Sequence, residues 1–368
     1  MGPRTLVGQA RPRLPVPKMA VPRIQIGIDL SLFCTYRTPV ADMLAHSPPL
    51  PLVIQLPREI LQKLLDPEDE AGIMLALQHR DRVRRIRLGL PVSDLQKLLT
   101  AIDEEFPMLE YLYLVPPSPR DTESELMLPT TFQAPRLRHL MLGLFSFPIR
   151  SPLLTTEAGL VTLSLEAIPQ LAYFNHNDLL RQLSLMHQLQ SLTIDFDFLI
   201  PEDAVDPHPL IMTHVTLPNL RSFAFQGESA YLEALLPQIT TPLLKKLHIG
   251  LYNQRTLSVP HLLQFIVTTE NLAGRLSNAV LRFTDWGAWV VLYPNMGPSM
   301  YSLCLQIHGG YLDWQVAFAA HVLDVLRPVL SEAVQLTLEY QDITLPNGWH
   351  NQTDRSQWRK LLDALGNL

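Results

Sequence analysis

From residue 83 onward the apolar positions fall into a repeated grouping: one, a gap of two, one, a single polar position, then one more. It reads Val83-Arg84-Arg85-Ile86-Arg87-Leu88, then Leu109-Glu110-Tyr111-Leu112-Tyr113-Leu114, then Leu137-Arg138-His139-Leu140-Met141-Leu142. It opens again at Leu160, Leu189, Leu220 and Leu244, and in weaker form at Asn278, Met300 and Ala333. The closing alternation, as in Leu140 and Leu142 or Leu247 and Ile249, has the two-residue period of a strand with one buried face. One short strand per group is expected, each stacked beside the last in a parallel sheet.

Between the groups the period changes to that of a helix. Leu95, Leu98, Leu99 and Ile102 share one face, and Ser93 with Gln96 three residues on has the form of a capping box, so a helix is expected to open at Ser93. Others are expected near Asp178, Ser229, Ser258 and Asp313, and a final one is capped by Asp354 and runs through Trp358, Leu361 and Leu362 to Gly366. A parallel pair of strands needs a crossover of this kind. Pro107, Pro135, Pro218, Pro242 and Pro298 stand just before strands, where they end the preceding segment and push the residue before them toward an extended conformation.

Successive groups start 22 to 34 residues apart, straddling the roughly 20–29-residue period of leucine-rich repeats. No copy can bury its own apolar face, whereas stacked copies form a continuous core. The expected fold class is therefore α/β: a leucine-rich-repeat solenoid, or horseshoe, with irregular repeats. Its parallel sheet would be concave, with helices or extended segments on the convex side. The organisation that follows is a Pro/Arg-rich lead-in at 1–37, an N-terminal capping segment at 38–82, irregular repeats at 83–345 and a C-terminal capping helix at 346–368. Longer connections at 116–134 and 199–217 are expected as surface loops.

Composition narrows the function classes. Of 368 residues 47% are hydrophobic, enough for a large core, and only 17% are charged, while the 32 prolines suit many short elements joined by stiff connections. The formal net charge of −6 carries no overall basic footprint, so no nucleic-acid partner is expected. Two cysteines, Cys34 and Cys304, cannot make a disulfide framework or a thiolate cluster, which points to a reducing compartment, cytoplasmic or nuclear. The uncharged run 286–312 contains Trp289–Tyr293 and Tyr301–Ile307, two expected strands joined by a turn at 294–299; the prolines and glycines that interrupt it argue against a membrane span. No apolar signal-peptide core follows Met1.

Thr38-Pro39-Val40-Ala41-Asp42-Met43-Leu44, Leu75-Ala76-Leu77-Gln78-His79-Arg80-Asp81-Arg82-Val83 and the Phe106–Leu114 block resemble the large family of mushroom-type fungal F-box proteins with degenerate leucine-rich repeats. The likeness runs from about residue 38 to the end of the chain. It implies a repeat domain that holds a substrate while an F-box docks the adaptor subunit of a cullin-type ubiquitin ligase. In that family the box lies upstream of the segment matching Thr38–Leu52, where this chain has the Pro/Arg-rich lead-in, so the resemblance implies a member without a complete F-box. The short run Leu56, Pro57, Ile60, Leu61 also looks like the opening of such a box and is the candidate adaptor-docking element.

Chemistry-bearing motifs are missing from the sequence: there is no phosphate loop, dinucleotide fingerprint, His-Glu-x-x-His or nucleophile elbow. Twelve histidines are scattered singly, His308 beside Gly309-Gly310 reads as a turn after a strand, and no catalytic residue, metal or cofactor is expected. What the pattern does offer is a face. The residues alternating with the buried leucines should line the concave surface, and Arg85, Arg87, Tyr111, Tyr113, His139 and Met141 are the candidate partner-binding patch, because arginine and tyrosine are enriched at binding hot spots. The expectation is a non-enzymatic interaction scaffold, a substrate or partner receptor. The alternative is a working F-box subunit of a cullin-type ubiquitin ligase.

Overall fold

A computed structural model describes residues 40–46, 50–55, 67–117, 126–156, 158–196, 214–252, 259–273, 276–284, 287–294, 301–308, 312–330, 335–340 and 355–366. The chain is an α/β protein built on one open, mostly parallel sheet of twelve strands. The first strand, β1 (Leu52–Gln55), precedes the first leucine group and pairs in parallel with β2 (Val83–Leu88). The segment 38–82, expected only as a cap, thus contributes a strand, along with helices α1 (Val40–His46) and α2 (Pro67–Leu77). The lead-in at 1–37 lies outside the described residues.

The sheet then grows in chain order through β3 (Tyr111–Leu114), β4 (His139–Gly143), β5 (Thr162–Ile168) and β6 (Ser191–Phe196). A short strand, β7 (Val215–Thr216), leaves the main sheet and pairs with β9 (Ile239–Thr240). Between them β8 (Ser222–Gly227) continues the main sheet, and β10 (Lys246–Tyr252) follows it, all in parallel.

A local turn repeated along the chain sets the start of several strands. The amide of the first leucine donates to the carbonyl three residues back: Leu109 to Phe106 at 3.2 Å, Leu137 to Ala134 at 3.0 Å, Leu220 to Leu217 at 3.3 Å and Leu244 to Thr241 at 3.2 Å. The second residue of each turn is Pro107, Pro135, Pro218 or Pro242. Proline's fixed φ suits that corner of a β-turn, so these prolines form the bend itself as well as ending what came before. The last of the expected prolines, Pro298, lies outside the described residues.

The turn then delivers its leucines to one side. Ile86, Leu88, Leu112, Leu114, Leu140, Leu142, Leu163, Leu165, Leu192, Ile194, Leu247 and Ile249 are all buried in one continuous core. Each such side chain contributes about 1.5–3 kcal/mol relative to exposure. The helices supply the opposite wall: α3 (Val92–Leu99), α4 (His176–Leu183), α5 (Ser229–Leu235) and α6 (Pro260–Thr268) bury Leu95, Leu98, Leu179, Leu183, Leu232 and Leu263 in the same core.

The helix starts differ from expectation in instructive ways. Ser93 is not the cap of α3: the helix begins one residue earlier, after Pro91, whose carbonyl accepts from Asp94 and Leu95, each at 3.0 Å. The helix expected near Asp178 is α4, which begins at His176 with Asn175 as its cap, accepting the Asp178 amide at 2.8 Å. Ser258 lies outside the described residues, and the first turn of α6 is held from another helix: both Glu233 carboxylate oxygens accept from its amides, His261 at 2.8 Å and Leu262 at 2.9 Å.

Beyond β10 the in-order stacking stops. After α7 (Glu270–Ala273), β11 (Leu276–Phe283) does not pair with β10; β12 (Gly287–Pro294) turns back antiparallel on it, and β13 (Leu303–His308) turns back again. It is β13 that pairs with β10, in parallel. The helix α8 (Leu312–Val325) and the short α9 (Arg327–Leu330) lead to β14 (Gln335–Tyr340), parallel to β11 at the far edge. The order is therefore β10, β13, β12, β11, β14, which corrects the expectation of one parallel strand per group throughout. The two strands expected within 286–312 are β12 and β13, and their antiparallel pairing is what a short reversal permits and a parallel pair would not. The last helix, α10 (Arg355–Gly366), buries Leu361, leaves Leu362 exposed and brings Trp358 within 6.0 Å of the Phe283 ring. Its expected cap, Asp354, is outside the described residues, as is most of the 199–217 connection.

Candidate functional surface

The sheet face opposite the leucines carries the candidate residues, and strand register lines them up. Arg85 pairs with Tyr111 and Tyr111 with His139; one step along, Arg87 pairs with Tyr113 and Tyr113 with Met141. Six residues separated by up to 56 positions in sequence are thus two adjacent rows on β2, β3 and β4. The Arg85 guanidinium carbon lies 4.5 Å from the Tyr111 ring centre and that of Arg87 5.4 Å from Tyr113. Both are cation–π distances, worth about 0.5–1 kcal/mol at partly exposed sites.

Across the next gap the Tyr111 and His139 rings are 5.7 Å apart, the Tyr111 hydroxyl is directed at the Met141 sulfur at 3.7 Å, and His139 Nδ1 meets the Thr162 hydroxyl at 3.1 Å. Arg85, Arg87, Tyr111 and His139 each lean on the strand that follows. Burial raises the Tyr111 pKa, against the opposing pull of Arg87 and Arg85. Burial also lowers that of His139, aided by Arg138 and Arg85 and countered by Glu110. Both shifts favour the neutral form, so at neutral pH the Arg85 and Arg87 guanidinium groups lie beside an uncharged Tyr111 phenol and an uncharged His139 imidazole.

Farther along, this face bears small side chains: Thr162 and Ser164, Ser191 and Thr193, Ser222 and Ala224 occupy the same two rows on β5, β6 and β8, with Ser164 buried and the others half-buried. Glu166 ends this stretch, half-buried, accepting from Ser164 at 2.8 Å with its pKa raised by burial. The backbone beside it is strained, since Ala167 adopts φ 48° where the β5–β6 register slips.

A second polar cluster follows, one that scattered single histidines gave no reason to expect. His248 of β10 meets the Tyr301 hydroxyl at 3.2 Å, and the rings of Tyr252 and His308 are 4.6 Å apart across the β10–β13 pair. The Tyr252 hydroxyl donates to Gln226 at 2.9 Å and lies 3.4 Å from Asp195. Gly250 makes the closure possible: a Cβ there would come within 3.1 Å of the Gln226 side chain and 3.6 Å of His308 Nε2. His308, expected as part of a turn, is the last residue of β13. Burial, then the neighbouring His248, lowers its pKa to about 4. The alternation His248, Gly250, Tyr252 was the available signal, but its partners on β6, β8 and β13 appear only once register is known.

Cys304, also on this face, is 5% exposed and burial pushes its thiol up to about 12. It stays protonated at neutral pH and is not poised as a nucleophile. Among the described residues no cluster of histidine, cysteine and carboxylate is arranged to hold a metal ion, and no helix is long and apolar enough to cross a membrane. On the helical side a concavity of about 480 Å³ lies between α6 and α8, lined by Val259, Leu263, Val267 and Val325 together with Gln264, Thr268 and His321. The candidate adaptor-docking residues Leu56, Pro57, Ile60 and Leu61 lie outside the described residues. No protein-family model, curated protein or solved structure matches the chain.

Proposed function

We propose that this chain is a leucine-rich-repeat scaffold that holds a partner protein on the open face of its sheet, without chemistry of its own. The observation that carries the reading is the Arg85–Tyr111–His139 and Arg87–Tyr113–Met141 ladder, six large side chains aligned by register and braced against each other. Preordered arginines and tyrosines lose little further freedom on binding, which is the economy that makes such residues interface anchors. The solenoid part of the reading is supported by the in-order parallel run from β1 to β10, with a leucine group at every strand after the first and a proline-cornered turn before β3, β4, β8 and β10. Irregular repeats beyond β10 belong to the same proposal, and so does a place in the cytoplasm or nucleus.

The test is an affinity pull-down comparing the wild type with Tyr111→Ala/Tyr113→Ala, circular dichroism confirming that both are folded. Specific loss of a partner protein from the double variant is expected. An unchanged set of captured proteins would remove the ladder from the function. Capture of a cullin-ligase adaptor that survives the tyrosine changes but is lost on Leu56→Ala/Ile60→Ala would replace this reading with that of a working F-box subunit.

A further inference from the structure

We infer that the ladder docks an extended acidic segment of its partner, with two carboxylates placed two residues apart so that one meets Arg85 and the other Arg87. This rests on the scaffold reading above and adds the chemistry of what is held.

The first argument is unmatched charge. Three acids close to this end of the sheet are engaged by other arginines: Glu110 by Arg84 at 2.9 Å, and Asp103 at 2.9 Å together with Glu104 by Arg80. Neither Arg85 nor Arg87 has a carboxylate partner among the described residues, although the whole chain is acidic. The guanidinium field reaches its neighbours, opposing the burial-driven rise at Tyr111 and reinforcing the fall at His139.

The second argument is geometry. Each guanidinium lies over a tyrosine ring, so its face is occupied by the ring while N–H groups at its edge remain to grip a planar carboxylate in fork fashion. The third is spacing. Arg85 and Arg87 are alternate residues of one strand, about 6.6–6.8 Å apart along it. Alternate residues of an extended segment reproduce that distance on one side, whereas adjacent residues point to opposite sides. Because β2 already pairs with β1 and β3, the segment cannot add to the sheet as a strand and must be held by its side chains.

Fluorescence polarisation with labelled Gly/Ser peptides tests this on the full chain. A Glu-Gly-Glu peptide is expected to bind about fivefold tighter than one with adjacent glutamates, and a Lys-Gly-Lys peptide not at all. Arg85→Ala/Arg87→Ala, with an unchanged circular dichroism spectrum, should weaken the Glu-Gly-Glu peptide by about tenfold. Arg85→Lys/Arg87→Lys should recover only part of the loss, since an ammonium keeps the charge without the planar fork. Equal binding of spaced and adjacent glutamates, indifference to the alanine variant, or preferential binding of a single-stranded oligonucleotide would each overturn the inference. If the tyrosine variant loses its partner in the pull-down but the acidic peptide does not bind, the scaffold reading stands and only the acidic segment falls. If the pull-down is unchanged by the tyrosine variant, the ladder is removed from the function and the acidic segment falls with it.

Discussion

The seam between β10 and β13 should weaken in mild acid, and His308 sets the scale. Its imidazole is packed against Tyr252, with His248 nearby, and its pKa falls to about 4 from an ordinary 6.5. Because the folded value is depressed, the unfolded chain takes up the proton first as pH drops. Stability is then complete above the unfolded value, declines as pH falls through the interval between about 6.5 and 4, and levels off below it. Over that whole interval the linkage amounts to about 3 kcal/mol, of which about 2 is lost by pH 5. Other groups contribute in the same direction, notably His139, His176 and His248, whose pKa values are also lowered by burial. The effect of His308 is therefore read as a difference. Urea unfolding of wild type and His308→Gln at pH 7 and pH 5 should show the wild type losing about 2 kcal/mol more than the variant. Proton NMR of the His308 ring should show it neutral at pH 6. Equal losses for the two proteins, or a ring titrating near its ordinary value, would refute the burial argument.

Three further outcomes follow from the packing. Gly287→Ala should destabilise by about 2–4 kcal/mol in urea melts, because a Cβ there would overlap the Ile307 carbonyl oxygen across the β12–β13 pair. Glu233→Ala should cost about 1–2 kcal/mol and raise hydrogen exchange at the His261 and Leu262 amides, which its carboxylate caps across two helices. Leu112→Ala, which empties a wholly buried position on β3, should cost about 2–5 kcal/mol by the same measurement while leaving Arg85 and Arg87 in place.

The parts of the fold legible in the sequence are those written locally. The main-sheet strands from β2 to β10 follow from alternating apolar residues, and the starts of β3, β4, β8 and β10 follow from a turn whose second residue is proline; both signals sit within six residues, whereas β7 and β9 belong to no leucine group. Pairing is not local. Leu281 and Leu247 lie on the same core-facing side of their strands, yet nothing in either segment says that β13 and β12 come between them. The turn-bounded apolar run at 286–312 implied two strands but not that the second would cross to β10. Helix caps failed for a related reason: Glu233 reaches α6 from another helix, while Ser93 had the right spacing but a proline two residues earlier set the start.

The same division governs the open face. Alternation alone placed the ladder's six side chains on one side, and register then brought them into contact. The His248–Tyr301 and Tyr252–His308 cluster needed register first, since its members are up to 113 positions apart from Asp195 to His308. Between the two lie β5, β6 and β8 with their serines, threonines and alanine. From β4 to β10 is four strand steps, about 19 Å at the usual interstrand distance. No single side chain crosses that gap. A partner anchored by carboxylates on Arg85 and Arg87 reaches the histidine end only if its own backbone continues across the small-residue strands. There the lack of bulk on β5, β6 and β8 leaves its side chains room to supply the contact area that the sheet does not.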